Sequence, residues 1–290
     1  MTTDKRAPLS WDVFVAPAKP VVTDDLPPDG HKRTWSPTSA TLIAGERDAV
    51  LVDPLMTLDE ARALADWVFA TGKNLTTVYV THGHGDHFFG ASVVLDRFPG
   101  ARLVAMPAVV ERMRRQAAPE FVAEFWASRF PGQIPERLLL ADPLAGNTIR
   151  LEGHDLVVVE LGHTDTDQTT CLHVPSLGLV VAGDAAYNDV HLYLAESNPH
   201  ARGQWIAALD AIESLRPRAV VAGHKRPGND DSPRILEETR QYIRDFGRVA
   251  DAAVTAQELY ERMLDLYPDR VNPGALWSSA RALVPASPMD

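Results

Sequence analysis

Short apolar runs alternate along the chain with stretches whose apolar residues recur every three to four positions. The first 38 residues are rich in proline and charge and read as an extended lead-in, with one strand at Trp11–Val15. Ala40–Ala44 and Ala49–Val52 then read as strands joined by a turn over Gly45-Glu46-Arg47-Asp48. Thr57, with Glu60 three residues on, is a capping-box start for a helix. Leu58, Ala61, Leu64, Ala65 and Val68 form its apolar stripe, and Gly72 is its stop. Further strands are expected at Thr76–Val80, Ala101–Ala105 and Asp155–Leu161. A hairpin pair follows at Thr169–Val174 and Leu179–Ala182, closed by Pro175-Ser176-Leu177-Gly178. A helix over His200–Leu215 leads into a strand at Ala219–Ala222, and Ser232-Pro233 opens a helix to about Phe246. Interleaved strands and helices without an evident linker predict a layered α/β protein, with residues 1–290 as one domain. Two helical additions are expected on it, an insertion over about 107–132 and a tail over about 255–285.

Composition narrows the classes. The 290 residues are 45% hydrophobic and 23% charged, which excludes wholesale disorder. A formal net charge of −11 argues against a nucleic-acid partner. A single cysteine excludes a disulfide framework and an all-cysteine metal cage. The opening MTTDKRAPLSWDVF has no signal-peptide apolar core, and no run is long enough for a membrane span. A cytoplasmic protein acting on a small molecule, without membrane partners, is the expectation; a homodimer is compatible with it.

Ten histidines change the picture, because five of them fall into one pattern. Thr81-His82-Gly83-His84-Gly85-Asp86-His87 directly follows a strand. Three imidazoles and a carboxylate within six residues make poor core material, but the glycines let the turn bring them onto one small volume. Neutral imidazole and carboxylate are ligands for divalent zinc. Three more such residues each follow a glycine after an apolar run: His163 in Gly162-His163-Thr164, Asp184 in Gly183-Asp184, and His224 in Gly223-His224. Metal ligands gathered at strand ends are the reading, and His154 and His173 have no ligand-like context.

These residues resemble the metallo-β-lactamase superfamily of hydrolases: the His-x-His-x-Asp-His signature is complete, and the later His, Asp and His stand in family order over roughly residues 40–226. The resemblance implies a four-layer αβ/βα sandwich with two metals at one edge between its sheets. It implies that His82, His84 and His163 hold one ion and Asp86, His87 and His224 the second, with Asp184 bridging. Asp53 corresponds to the family's early aspartate, although the glycine usual two residues later is Leu55 here. Two zinc ions, with manganese or iron as alternatives, would activate a bridging hydroxide, and Asp86 would shuttle a proton to the leaving group. Asp184-Ala185-Ala186-Tyr187 resembles the Asp-x-x-Tyr arrangement of lactonase members, where the tyrosine assists at the substrate carbonyl.

The expected reaction is therefore opening of a lactone, lactam or cyclic carbamate. Thioester hydrolysis of the glyoxalase II kind, a β-lactamase and a non-catalytic metal-bearing sensor are the alternatives. Tyr187, His191 and Tyr193 are expected to line the pocket, and Lys225 is placed to meet an anionic group. The insertion carries Phe121, Phe125, Trp126 and Phe130 at near-helical spacing; Phe125 and Trp126 are expected to face the substrate from a lid. Cys171, inside an apolar strand, is expected to be an inert buried thiol.

Overall fold

A computed structural model describes residues 7–283. Its centre is a curled, 11-stranded sheet. One half carries the strands Thr38–Ala44, Asp48–Val52, Asn74–Val80 and Arg102–Ala105, with Ser10–Ala16 antiparallel to Thr38–Ala44. The other half carries Thr148–Leu151, His154–Gly162, Thr169–Val174, Leu179–Asn188 and Ala219–Lys225. The halves meet where His224 pairs with Thr38.

Alternate residues of these strands enter different cores, because both faces of the sheet are covered. Ile43, Val50, Val52 and Tyr79 face Leu156, Val158, Leu172, Val181 and Val221 between the two halves. Their neighbours Leu42, Leu51, Val78 and Val80 pack outward on the helix Leu58–Ala70 and the insertion. On the far side Val180, Ala182, Val220 and Ala222 pack against the helices Pro199–Ser214 and Arg234–Ala252. The order is thus helices, half-sheet, half-sheet, helices. Burial on both sides is why these strands read as continuous apolar runs rather than alternating ones.

The Thr57–Glu60 capping box forms in both directions, and Gly72, at φ +68°, follows the helix end. The insertion is helical: Pro107–Gln116 is an α-helix, and a second helical stretch from Pro119 widens into a π-turn over Val122–Ala127. The tail divides into Ala256–Leu266 and Pro273–Leu283; residues 284 and 285 of the expected tail lie outside the described residues. No described helix is long and apolar enough to cross a membrane.

Three strand ends differ from expectation. Leu179–Asn188 runs well past Ala182, with irregular register between Val181 and Tyr187. Ala219–Lys225 includes His224, and His154–Gly162 is bulged at its end. Asp184 and His224 therefore project from irregular or terminal parts of strands rather than from loops beyond them. A bulge re-aims side chains toward one point, which a regular pleat would send to opposite faces.

Candidate metal centre

The turn after Asn74–Val80 delivers His82, His84, Asp86 and His87 to the edge where the two half-sheets meet. Asp184 and His224 arrive from the neighbouring strands Leu179–Asn188 and Ala219–Lys225. Two glycines make this convergence possible. Gly183 adopts φ +53°, and a Cβ on Gly223 would collide with the Asp184 carboxylate and the His87 ring.

The ligand-type atoms fall into groups within 4.8 Å of one another: His82, His84, Asp165 and Asp184 form one, and Asp86, His87 and His224 another. His84 Nδ1 lies 2.8 Å and His82 Nε2 3.8 Å from Asp165 Oδ2. Asp184 links the groups, with Oδ1 3.2 Å from His87 Nε2 and Oδ2 3.1 Å from His224 Nε2. His224 Nε2 is also 3.4 Å from Asp86 Oδ2. Six of the seven sequence-derived ligands are thereby brought together.

His163 is the exception. Its Nδ1 contacts Asp167 Oδ1 at 2.6 Å, and its buried Nε2 has no hydrogen-bond partner among the described residues. It stands outside these groups and a third one formed by Asp53, His82 and His87. Asp165, which sequence reasoning passed over, lies beside His82 and His84. The strand before both residues is irregular in register between Glu160 and Gly162.

Each converging histidine has a second partner for its other nitrogen, which fixes ring orientation. His82 Nδ1 lies 3.0 Å from Thr81 Oγ1, and His87 Nδ1 3.2 Å from Asp53 Oδ2. His84 Nε2 meets Glu196 Oε1 at 3.1 Å, and His224 Nδ1 meets the Pro37 carbonyl at 3.1 Å. Asp53 also accepts from the Thr81 backbone N–H and hydroxyl, at 2.8 and 2.7 Å. Leu55, standing at the usual glycine position, takes φ +62°.

Electrostatics and unmet hydrogen bonding both suit a cation. Burial opposes protonation of His224, yet the Asp184 charge and bonds to Asp184 and Asp86 hold its pKa up at about 9. His87 is likewise raised against burial by Asp184 and Asp86, and His84 by Asp165 and Glu196. Within the converging groups, buried His82 Nε2, His87 Nε2, Asp165 Oδ2 and Asp184 Oδ1 have no hydrogen-bond partner among the described residues. These atoms lie against one another at ion-pair distance, as Asp165 Oδ2 does against His84 and Asp184 Oδ1 against His87, without a well-aligned hydrogen bond. Such crowding is costly unless something positive sits among them. Divalent ions fit this donor set.

A cavity of about 570 Å³ opens over the cluster, reaching His84, Asp86, Asp184 and His224. Tyr187 is buried at its inner end and donates its hydroxyl to Asp184 Oδ2 at 2.9 Å. Burial and the Asp184 charge push the phenol pKa well up, so it stays protonated. Tyr193 sets its ring edge-on to His84, centroids 5.9 Å apart, and lines the cavity with Phe125 and Trp126. Trp35, missed in the sequence, donates from Nε1 to Asp86 Oδ2 at 2.9 Å. A tryptophan in an extended lead-in carries no local signal for this role.

Two substrate-side expectations are corrected. His191 does not line the cavity: the chain turns at Asp189, φ +60°, and drops it beneath Arg234–Ala252, with Nδ1 2.9 Å from the Tyr242 hydroxyl. Burial, aided by Arg270, pushes that imidazole down to about 3. Lys225 is buried against Asp231 at 2.5 Å. Cys171 is buried as expected, its thiol pushed up to about 12.

The family described as Metallo-beta-lactamase superfamily matches residues 33–224. Among solved structures, a metallo-beta-lactamase family protein from Thermus thermophilus is similar with a TM-score of 0.64 at 21% identity, over 93% of this chain and 91% of that one. A metallo-beta-lactamase from Pseudomonas aeruginosa, in a mono-zinc form, gives 0.56 at 16% identity, over 84% and 98% of the chains. A curated (R)-specific secondary-alkylsulfatase from a Pseudomonas species is 38% identical over 66 residues, 22% of this chain; the match spans about a tenth of that protein's length.

Proposed function

Because the chain belongs to the metallo-beta-lactamase superfamily, we propose that it is a hydrolase that holds two divalent ions, zinc foremost, and opens a lactone, lactam or cyclic carbamate. The observation that carries the reading is the convergence of buried histidine and carboxylate ligand atoms beneath the cavity, four of them without a well-aligned hydrogen bond. His82, His84 and Asp165 would hold one ion, and Asp86, His87 and His224 the other, with Asp184 shared. Divalent ions there supply Lewis acidity and a water acidic enough to ionise near neutral pH.

The chain's own groups do the rest. Tyr187 is a neutral donor at the inner end of the cavity, suited to an oxygen on which negative charge develops. Asp86 lines the same space, held in place by the Trp35 N–H, and can pass a proton to the leaving group. Tyr193 and Phe125 give the cavity apolar walls that orient a ring and exclude water. A second reading, hydrolysis of an alkyl sulfate, draws on the local similarity to the alkylsulfatase.

The test is a panel of lactones, lactams, cyclic carbamates, thioesters and secondary alkyl sulfates, assayed with metal-loaded and chelator-treated protein. Metal-dependent turnover of a lactone is the expected result. Turnover confined to the alkyl sulfate selects the second reading, and no turnover of any member by fully loaded protein overturns both.

A further inference from the structure

The cavity is electrically two-ended. Its inner end carries Asp86 and Asp184, whereas one outer wall carries Arg33, Arg129 and Arg281, from the lead-in, the insertion and the last described helix. In a chain of net charge −11, three guanidiniums on one cavity wall need an explanation. Asp25 supplies one negative charge among them. It is 2.9 Å from Arg33 Nη1, is also bonded to Arg281, and accepts from Trp277 Nε1 at 3.0 Å. Those three residues engage both of its oxygens.

Arg129 is left over. Among the described residues it has no carboxylate partner; Nη1 donates to the Phe125 carbonyl at 2.9 Å, and the guanidinium lies 3.9 Å above the Phe125 ring. Those contacts fix the planar fork and leave further N–H donors unassigned. Arg33 Nε is buried and likewise has no partner. Burial lowers the Arg33 pKa, Asp25 opposes that, and the charges of Arg129 and Arg281 add to it. The wall is short of about one negative charge for each guanidinium beyond the first.

We infer that Arg129, with Arg33 and Arg281, forms a subsite for an oxyanion such as a carboxylate or sulfonate, carried at the end of the substrate away from the bond that breaks. The inference rests on the hydrolase reading for its second half, the position of the scissile bond. The favoured substrate class is an amphiphilic acid: a hydrolysable group at the metal end, an apolar middle along Phe125 and Tyr193, and an anion at the arginines.

Two matched esters read the subsite: p-nitrophenyl hexanoate, and the mono-p-nitrophenyl ester of adipic acid, whose chain ends in a carboxylate. Wild-type protein should show the lower KM for the adipate ester. Arg129→Gln should raise that KM about tenfold to a hundredfold relative to the hexanoate ester's, the range for losing a charge-assisted hydrogen bond, and Arg129→Lys should restore part of it. Hexane-1-sulfonate, a poor metal ligand, gives the same comparison by titration calorimetry without turnover. If neither ester is hydrolysed while sulfonate binding still weakens in Arg129→Gln, the subsite stands, and the hydrolase reading falls only if the lactone, lactam, carbamate, thioester and sulfate panel is also untouched. An unchanged KM ratio together with unchanged sulfonate affinity overturns the subsite. Should Arg129→Gln melt early, Arg281→Gln, whose side chain is 54% exposed, reads the same comparison in an intact fold.

Discussion

Tyr187 and Asp165 carry the sharpest expectations at the scale of single residues. The Tyr187 hydroxyl donates to Asp184, a member of the candidate ligand cluster, and borders the cavity. If the proposed reaction holds, Tyr187→Phe should lower kcat on a cyclic substrate about tenfold or more, roughly 1.4 kcal/mol in the barrier, with bound metal retained. Wild-type rates in that variant would make the phenol a packing group. Asp165 and His163 compete for one role. Asp165 is fully buried beside His82 and His84, whereas His163 stands outside the converging groups. Elemental analysis should therefore show a larger loss of metal in Asp165→Asn than in His163→Ala. The reverse order would restore His163 as the ligand.

The insertion sets the question at the scale of elements. Its second helical stretch widens to a π-turn at Val122–Ala127, and π-turns recur at functional sites because they turn side chains off the regular helical stripe. Here Phe125 and Trp126 both reach the cavity, but they are not equivalent. Trp126 is 2% exposed, packs against Trp35, Phe89 and Phe130, and donates to Gln116 at 2.9 Å. Phe125 is half-buried and stacks on the exposed Phe121. Trp126→Ala should cost about 3–5 kcal/mol of stability. Phe125→Ala should chiefly raise KM for bulky apolar substrates. Calorimetric melting and steady-state kinetics on both variants separate the two outcomes; equal effects on melting would place both rings in the core.

The histidine–aspartate cluster and a carboxylate clamp join the two half-sheets at the scale of the whole molecule. The cluster draws His82 and His87 from one half and Asp184 and His224 from the other. Its ions should bind the folded chain alone. At a free metal concentration about a thousandfold above the dissociation constant that is worth about 4 kcal/mol, so chelation should lower Tm by roughly 10 °C. An unchanged Tm after verified metal removal would argue against ions held by both halves. Elsewhere Glu152, on the turn between two strands of the second half, accepts from the backbone N–H groups of Asp48, Arg47 and Glu46 at 2.7–2.8 Å. Those three bonds hold its carboxyl down at about 2. A depressed carboxyl adds stability that is present above its ordinary pKa near 4.5 and is lost as pH falls toward 2. In metal-free protein, the Tm difference between wild type and Glu152→Gln should shrink over that window. A difference that stays constant would remove the clamp.

The sequence by itself determined the local features: the capping box at Thr57 and Glu60, the apolar strands, the helical insertion and the histidine turn at 82–87. Each is written in residues adjacent along the chain, where spacing and propensity act directly. It also determined that Asp184 and His224 follow glycines, because only glycine tolerates the close approach there. Tertiary structure alone decided that Asp165 meets His82 and His84, since no spacing within its own segment announces that contact. It alone placed Trp35 on Asp86, Glu196 on His84, and three arginines from distant segments on one cavity wall. Those contacts join residues tens to hundreds of positions apart, and their partners are fixed by how the layers stack rather than by any pattern in the segments that supply them.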